Sequence, residues 1–393
     1  MTPAARVQTA IELLDEIQAG APAEKVLTGW ARRSRFAGSK DRAAIRDHVF
    51  DVLRQKNSAA QLGGGQSGRA LMIGLLRLQG IDLETVFTGA NYAPAALNDA
   101  ETDAARVNPN RPSAIDLPDW IVPPMQAALG DEFGETARLL AQRAPVCLRV
   151  NLQKTGVSSA VSALADEGIS ARASALSPTA LIVEEGARSV AGSGAYRDGW
   201  VELQDAASQS AMDLLPLEPD MRVLDYCAGG GGKTLAMAGR VKARYFAHDA
   251  NAARLSDLPE RAARAGVDVK IVTQQQLRSQ TFDLVLCDVP CSGSGTWRRT
   301  PGAKWRFSPD DLAELIEVQA EILDKVAMLV RPGGNLVYAT CSVLQSENEE
   351  QIAQFLQAQN DWRIVNQKRW PVQADGDGFF CAILQKITKF EAF

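Results

Sequence analysis

Cysteine and histidine are both scarce in this chain, which has six cysteines and two histidines in 393 residues. So few cysteines in so long a chain do not make a disulfide framework, and reduced thiols are expected. With only His48 and His248 available, a zinc site would need nearly all its ligands from irregularly spaced cysteines. We therefore expect neither structural disulfides nor a bound metal.

Long apolar runs are missing as well. Unbroken apolar stretches such as Val326–Val330 fall far below the roughly 18 residues of a membrane-spanning helix. The start of the chain, MTPAARVQTAIELLDEIQ, carries acids too early for a signal peptide. Neither a membrane protein nor a secreted protein fits this pattern, so we expect a cytoplasmic location.

An excess of basic residues is the third missing feature. The chain carries 42 Lys and Arg against 47 Asp and Glu, a net charge of -5. This balance argues against a protein that coats nucleic acid non-specifically, because that mode depends on bulk attraction to phosphates. A localised basic groove remains compatible with it.

What is present is an ordinary globular composition, with 46% hydrophobic and 23% charged residues. At roughly 150 residues per domain, the length predicts two or three domains. About 100 N-terminal residues show helical spacing, as in the stripe Val7, Ile11 and Leu14. The glycine cluster Gly63–Gly68 has no strand before it and is interpreted as an inter-helix loop, and the polar stretch Asn98–Pro118 is typical of a linker.

Short strands replace the helical pattern from Val146 onward and first predict a small α+β unit of about 55 residues. After Trp200, strand-like runs alternate with helices. The runs are Arg222–Tyr226, Tyr245–Asp249, Val269–Val272, Phe282–Cys287 and Asn335–Ala339. This alternation predicts a mainly parallel sheet with helices on both faces, which binds ligands at the carboxyl ends of its strands.

A glycine-rich loop follows the first of these strands, where Asp225-Tyr226-Cys227 leads into Ala228, four glycines and Lys233-Thr234. A phosphate-binding NTPase loop needs a glycine at position 227, which is Cys227 here. A dinucleotide-binding fold is disfavoured because the loop lacks the full Gly-x-Gly-x-x-Gly context. The remaining interpretation is an S-adenosylmethionine pocket, in which Asp249 at the next strand end accepts the ribose hydroxyls. A plain tight turn is the structural alternative.

Two further strand ends carry cysteines. One apolar strand delivers Asp288, Pro290 and Cys291 to its carboxyl end, and another presents Cys341 at the same edge. A lone cysteine at a strand end is usually structural, since free cysteine is among the most buried residue types. Two thiols and a carboxylate that flank a predicted cofactor site favour catalysis instead.

Together these motifs resemble the RNA (cytosine-C5)-methyltransferases of the Sun/Fmu (RsmB/NOP) group, above all the bacterial enzymes for small-subunit ribosomal RNA. The motifs are CAGGGGKT at 227–234, DVPCSGSGT at 288–296 and ATCS at 339–342, followed by Asn348 and Glu349. LRVN at 148–151 and QDAASQ at 204–209 also match, so the pattern spans about residues 145–385. The N-terminal helices more loosely resemble the NusB-like RNA-binding domain of this family, best over Asp41–Arg54.

The resemblance implies a covalent mechanism. Carbon 5 of cytosine is too weakly nucleophilic to take a methyl group directly, so a thiolate first adds to carbon 6. In the family this is the Thr-Cys thiol, Cys341 here, while the Pro-Cys thiol, Cys291, assists the elimination that frees the product. Asp288 would contact N3 or N4 of the base and stabilise the protonated adduct. A DNA-type enzyme would instead use Cys291 as the nucleophile.

The same resemblance implies S-adenosylmethionine as cofactor. Two departures from the family pattern concern this pocket: glycines stand where Ala-Pro is usual in the loop, and Gln274-Gln275-Gln276 replaces the usual acid after the third strand. An amide can still pair with an adenine amino group. The expected cofactor-binding residues are Asp225, Cys227, Ala228, Gly229, Gly230, Gly231, Gly232, Lys233, Asp249, Gln274, Gln275 and Asp288.

The segment Val289–Pro309 has no acid and interleaves cations with aromatic residues. Cations track phosphates and aromatic faces stack on unpaired bases, so the segment predicts RNA contact, with a solvated loop as the alternative. The target cytosine should be single-stranded or flipped out of its stack. The expected RNA-binding residues are Arg298, Arg299, Lys304, Trp305 and Arg306.

These expectations combine into an α/β protein of three parts. We expect an all-α NusB-like RNA-binding domain at 1–120 and linker helices with a small α+β, RRM-like RNA-binding module at 121–200. A Rossmann-like methyltransferase domain should follow at 201–393. RNA of the small ribosomal subunit is the expected partner, with transfer RNA or another RNA as the alternative substrate, and no membrane, metal or oligomer is required. A catalytically idle RNA-binding assembly factor is the alternative from another class.

Overall fold

The computed structural model describes residues 1–102 and 115–388, and the chain divides into two compact units. Unit 1 comprises Met1–Val122, Gly134–Arg143 and Trp297–Arg306, and unit 2 comprises Pro123–Phe133, Ala144–Thr296 and Phe307–Phe393. Most of the linker predicted at Asn98–Pro118 lies outside the described residues. The domain bounds expected at 120 and 200 stay predictions.

The α-helices range in length from four to 19 residues. In chain order they are α1 (Pro3–Gln18), α2 (Ala23–Arg33), α3 (Ser39–Arg54), α4 (Lys56–Gly63), α5 (Gly68–Leu78), α6 (Val122–Leu129), α7 (Phe133–Leu140), α8 (Val157–Asp166), α9 (Gly194–Arg197), α10 (Ala206–Asp213), α11 (Gly232–Ala238), α12 (Leu258–Ala265), α13 (Gln274–Leu277), α14 (Pro301–Lys304), α15 (Pro309–Ala327) and α16 (Glu349–Ala358). Within residues 1–102 and 115–388, no helix is both long and apolar enough to cross a bilayer.

Unit 1 is built around α1, α3 and α5. The predicted stripe Val7, Ile11 and Leu14 is buried in its core, as the helical spacing indicated. Helices α4 and α5 pack with their backbones in close approach, because a Cβ at Gly74 would lie 1.8 Å from the Ala59 carbonyl oxygen. The glycine cluster between these helices is therefore an inter-helix loop, which confirms the structural interpretation of it.

The segment Trp297–Arg306 packs within unit 1 through its polar atoms as well as its rings. The Lys304 side chain is completely buried, and its Nζ donates to the carbonyl oxygens of Arg54 at 2.9 Å and Asp116 at 2.6 Å. The Trp305 Nε1 donates to the Leu53 carbonyl at 2.7 Å. Burial lowers the pKa of Lys304 to about 7. This lysine therefore acts as a buried cross-link between main-chain segments.

Unit 2 contains two sheets. The strands are β1 (Val146–Val150), β2 (Ser170–Ala173), β3 (Ala180–Glu185), β4 (Val201–Leu203), β5 (Arg222–Asp225), β6 (Arg244–Ala247), β7 (Val269–Ile271), β8 (Phe282–Asp288), β9 (Val330–Thr340), β10 (Trp362–Trp370) and β11 (Phe379–Lys386). The smaller sheet is antiparallel with the order β2-β3-β1-β4. Its Leu148 and Leu181 share a core with Leu164 of α8, as expected for the small α+β unit.

The larger sheet has seven strands in the order β10-β11-β9-β8-β5-β6-β7. Strands β5 to β9 are parallel to one another, whereas β11 pairs antiparallel with β9 and β10. The apolar centres of the inner strands are fully buried, as at Leu224, Val285 and Leu336. This is the Rossmann-like sheet predicted from the strand-helix alternation, and its carboxyl edge collects the glycine loop and both cysteine segments.

We expect Lys304→Met to lower the free energy of unfolding by about 1–3 kcal/mol, because two buried carbonyl oxygens lose their donor. Urea denaturation followed by circular dichroism measures the change. Lys40→Met, at an exposed position of the same unit, is the matched control and should stay within about 0.5 kcal/mol of the wild type. Equal stability of the two variants would contradict the structural role of Lys304.

Candidate active site

The glycine loop joins β5 to α11 and presents bare backbone. Gly229 and Gly231 have positive φ angles of 50° and 77°, a conformation that favours glycine. A Cβ at Gly231 would lie 2.2 Å from the Leu258 Cδ1 atom, and one at Gly230 would lie 2.7 Å from the Arg261 Nη1 atom. The loop therefore has no room for side chains at Gly230 and Gly231, which explains why glycine stands there.

Two carboxylates flank this loop. Asp225 is buried; its Oδ2 accepts from the Thr234 hydroxyl at 2.7 Å, while its Oδ1 has no hydrogen-bond partner among the described residues. Burial raises the pKa of Asp225 to about 7. Asp249 accepts from the backbone N–H groups of Gly229 at 3.0 Å and Asn251 at 2.9 Å. Asp249 thus shapes the loop itself, in addition to any ligand contact.

The glutamines that stand in place of the usual acid have different environments. The Tyr226 hydroxyl donates to the Gln274 Oε1 at 2.9 Å, which holds this amide beside the start of the glycine loop. Gln275 is exposed. Gln276 instead forms a capping box with Thr273 at the start of α13. The sequence-based prediction missed Tyr226, because a tyrosine after a buried strand carries no distinctive signal.

An ion pair connects the glycine loop to the Pro-Cys segment. The Lys233 Nζ lies 2.6 Å from the Asp288 Oδ2. The two side chains are mostly buried, with exposed fractions of 16% and 29%. Burial alone would lower the pKa of Lys233, but the Asp288 carboxylate outweighs burial and raises it. Lys233 therefore stays cationic, and it orients the carboxylate that was expected to face the base.

The two predicted catalytic thiols meet at this edge, with the Cys291 Sγ 3.5 Å from the Cys341 Sγ. The hydrogen bond with Cys341, together with burial, raises the pKa of the Cys291 thiol well above its ordinary value. Cys291 therefore keeps its proton and can donate it toward the sulfur of Cys341. At this distance either sulfur can donate to the other.

The remaining cysteines near the sheet are poor nucleophiles. Burial raises the pKa of the Cys287 thiol well above its ordinary value and that of Cys381 to about 12. Burial also raises the pKa of Cys227, which lies in the glycine loop. A thiol that stays protonated near neutral pH reacts slowly, so none of these three cysteines is a candidate for the nucleophile.

Comparisons with known proteins agree with this geometry. A family model described as 16S rRNA methyltransferase RsmB/F matches residues 212–385, and the ferredoxin-like domain of RsmF/B-like methyltransferases matches residues 117–190. Ribosomal RNA small subunit methyltransferase B of Klebsiella pneumoniae is 35% identical over 284 residues, which cover 68% of this chain and 66% of the relative. The chain belongs to the RsmB/F methyltransferase family.

Other relatives show the same extent of match. Ribosomal RNA small subunit methyltransferase B of Serratia proteamaculans is 34% identical over 293 residues, 69% of this chain and 66% of the relative. The chain thus spans about two thirds of the length of these curated RsmB proteins.

Among solved structures, PH0851 has a TM-score of 0.74 at 24% identity, and the match covers 98% of this chain and 99% of the PH0851 chain. NSun6 from Pyrococcus horikoshii has a TM-score of 0.62 at 18% identity, over 69% of this chain and 99% of its own. These structural likenesses show the fold.

RsmB/F methyltransferases use S-adenosylmethionine, and the pocket of this family member fits that cofactor. The Asp225 Oδ1 beside the glycine loop is a buried acceptor that lacks a hydrogen-bond partner among the described residues. A carboxylate with a free acceptor suits a ligand that carries hydroxyl and ammonium groups. Among the described residues, no group of three or more His, Cys, Asp or Glu is arranged to hold a metal.

The predicted RNA-binding segment needs a correction. Arg298 and Lys304 are 1% and 0% exposed, so neither is a solvent-facing cation that could follow a phosphate backbone. Trp305 packs against the core of unit 1 and donates from its ring nitrogen to a carbonyl. Arg299 is half-buried and Arg306 is exposed. Tertiary packing thus takes up Arg298, Lys304 and the Trp305 ring within unit 1, whereas Arg306 stays exposed.

We expect Asp225→Asn to stabilise the protein at neutral and higher pH. The carboxyl ionises near 3.8 when unfolded but at about 7 when folded, so the folded wild type binds more protons across this range and loses stability as the pH rises. The gain of the variant should therefore grow from about pH 4 to about pH 7 and then level off. Thermal unfolding at several pH values tests this. Asp268→Asn, at an exposed position, should show no such dependence.

Proposed function

We propose that this chain transfers a methyl group from S-adenosylmethionine to carbon 5 of a cytosine in RNA of the small ribosomal subunit. The observation that carries the proposal is the pair of thiols 3.5 Å apart, one of which keeps its proton. The names of the curated relatives, ribosomal RNA small subunit methyltransferase B, support ribosomal RNA as the substrate class.

The chemistry requires a nucleophile and a base in sequence. The Cys341 thiolate adds to carbon 6, which forms the S–C6 bond and makes carbon 5 nucleophilic. S-adenosylmethionine supplies an electrophilic methyl group when bound. A base then removes the proton from carbon 5, and the S–C6 bond breaks to return the Cys341 thiolate. Two adjacent thiols can supply both groups, one as the nucleophile that attacks carbon 6 and the other as the base that removes the proton from carbon 5.

The two roles follow from the resemblance, which assigns attack to the Thr-Cys thiol and release to the Pro-Cys thiol, and they agree with the raised pKa of Cys291. Its first cause is the hydrogen bond with Cys341, and burial adds to it. Once the Cys341 sulfur is bonded to carbon, this cause weakens and the Cys291 thiol gives up its proton more readily. Cys291 thus becomes available as a base only after the adduct has formed, which is the stage at which elimination needs one.

Asp288 and Lys233 act on the base. Asp288 accepts from N3 or N4 of the cytosine and stabilises the protonated adduct, while Lys233 keeps the carboxylate oriented through the 2.6 Å ion pair. The target base must leave its stack to reach these groups, so the substrate cytosine is unpaired or flipped out.

RNA contact in unit 1 is assigned to an exposed basic surface, defined by residues 32–46. Over 30–46 the chain has six basic side chains and one acid, Asp41, which pairs with Arg6 at 2.8 Å. The Phe36 ring at its centre is 76% exposed and offers a face for stacking. The exposed cations of this surface are Arg32, Arg33, Arg35, Lys40, Arg42 and Arg46. The sequence carried this signal, as an acid-poor run within a helical region.

Covalent trapping tests the proposed chemistry. Wild type, Cys341→Ala and Cys291→Ala are incubated with S-adenosylmethionine and unmethylated small-subunit RNA, and denaturant-resistant protein–RNA adducts are quantified and sequenced. We expect the adduct to accumulate in Cys291→Ala and to be absent from Cys341→Ala, because the first variant blocks release and the second blocks attack. Cys381→Ala, a buried thiol outside this pair, is the matched control.

Other outcomes of this experiment point elsewhere. Dependence of the adduct on Cys291 would reverse the roles and favour a DNA-type mechanism. An adduct that forms with transfer RNA and not with small-subunit RNA would change the substrate. Cofactor binding without any adduct or methyl transfer would favour an RNA-binding assembly factor.

We expect the triple variant Arg32→Glu, Arg33→Glu and Arg35→Glu to raise KM for RNA by about 10- to 100-fold with kcat within about twofold, because lost phosphate contacts weaken binding. The salt dependence of RNA binding should also become shallower. The control reverses three exposed cations of unit 2, Lys242, Arg363 and Lys368. Equal losses in the two triple variants would show a bulk charge effect instead of a contact surface.

A further inference from the structure

Glu347 is a buried carboxylate placed between the two cysteine segments. It lies at the end of the short 3-10 turn Gln345–Glu347, which follows the Thr-Cys motif, and its side chain is 0% exposed. Its Oε1 accepts from the Ser292 backbone N–H at 2.8 Å and from the Gln319 Nε2 at 3.0 Å. Its Oε2 accepts from the hydroxyl groups of Ser292 and Ser342.

These contacts join the neighbours of both thiols. Ser292 follows Cys291 and Ser342 follows Cys341, so one carboxylate holds the residue after each catalytic cysteine. The four donors that reach Glu347 are all neutral. A buried carboxylate satisfied by neutral donors alone is costly, since no cation offsets the loss of hydration. A role of Glu347 in holding both cysteine segments in position would account for this cost.

Other contacts also hold the two cysteine segments. Backbone hydrogen bonds link Val289 N to the Ala339 carbonyl and Gly295 N to the Cys341 carbonyl, each at 3.0 Å. The Gln319 Nε2 donates to the Pro290 carbonyl at 2.9 Å as well as to Glu347. Glu347 thus contacts the turn that carries Cys291 directly at Ser292 and, through Gln319, at Pro290, so it is placed to set where the Cys291 sulfur stands relative to Cys341.

We propose that Glu347 is a positioning residue that sets the separation of the two thiols and thereby controls release of the covalent adduct. The inference rests on the proposed cytosine-C5 chemistry. Attack on carbon 6 needs only Cys341, whereas release needs Cys291 at carbon 5 of the same adduct. A change in the relative position of the loops therefore slows release more than attack.

The test separates these two steps in Glu347→Ala and Glu347→Gln. For Glu347→Ala we expect adduct formation in the first turnover to change less than about threefold, while steady-state turnover falls by about 10- to 100-fold, since a displacement of about 1 Å has effects of this size. The trapped fraction of enzyme should rise, as in Cys291→Ala. Glu347→Gln should stay within about threefold of the wild type, because its amide oxygen keeps two donors and serine hydroxyls can accept from its amide nitrogen.

A stability control distinguishes positioning from general damage. Thr179→Ala removes a buried hydrogen bond to Gln209 at 2.9 Å in the same unit and outside this network. It should lower the melting temperature without raising the trapped fraction. Ser342→Ala removes one of the four donors and should shift the trapped fraction in the same direction as Glu347→Ala by a smaller factor, which keeps the test decisive if Glu347→Ala does not fold.

The outcomes are distinct. A larger trapped fraction in Glu347→Ala and Ser342→Ala, rescued in Glu347→Gln, supports the inference. Equal slowing of formation and release, or a glutamine variant as impaired as the alanine variant, overturns it while the proposed function stands. Failure of both the wild type and Cys291→Ala to form an adduct with RNA overturns both.

Discussion

The parallel pairing of β8 with β9 is the constraint on which the site depends. This ladder places Asp288 opposite Ala339, so the segments that follow the two strands leave the sheet side by side at its carboxyl edge. Cys291 and Cys341 are 50 residues apart in sequence, yet their sulfur atoms lie 3.5 Å apart. A shift of this register by two residues would move one thiol by about 7 Å along its strand and separate the pair.

Nearby charges and burial then set the protonation of each ionisable side chain at this edge of the sheet. The Lys233–Asp288 ion pair keeps one cation and one oriented carboxylate beside the thiols, while Asp225 sits deeper and holds a proton more readily, with its pKa raised to about 7. The two sulfur atoms share one hydrogen bond, which together with burial raises the pKa of the Cys291 thiol well above its ordinary value. Glu347 adds a buried negative charge that contacts the main chain after Cys291 and is held by neutral donors. The protonation and orientation of each side chain in the site thus depend on how far it is buried and on which polar groups replace its lost contacts with water.

Two segments of this chain are rich in basic and aromatic residues, but one is buried in the protein and the other faces solvent. Lys304 and Trp305 belong to an acid-free run with the appearance of an RNA-binding loop, but both donate to main-chain carbonyls inside unit 1. Arg32, Arg33 and Phe36 form a comparable run, and these side chains face solvent. Sequence composition does not separate the two runs, because the burial of a cation depends on which carbonyl groups the fold brings within reach of it.

The sequence by itself determined the strand-helix alternation, the order of motifs along the sheet edge and the identity of Cys341, Cys291 and Asp288 as candidates, since these follow from local hydrophobic patterns and short motifs. It also identified the family to which the chain belongs. Only the tertiary structure decided that Lys304 is buried, that Tyr226 holds Gln274, that β10 and β11 complete the sheet and that Glu347 connects the two cysteine segments. Each of these depends on contacts between residues distant in sequence, whose partners no local pattern specifies.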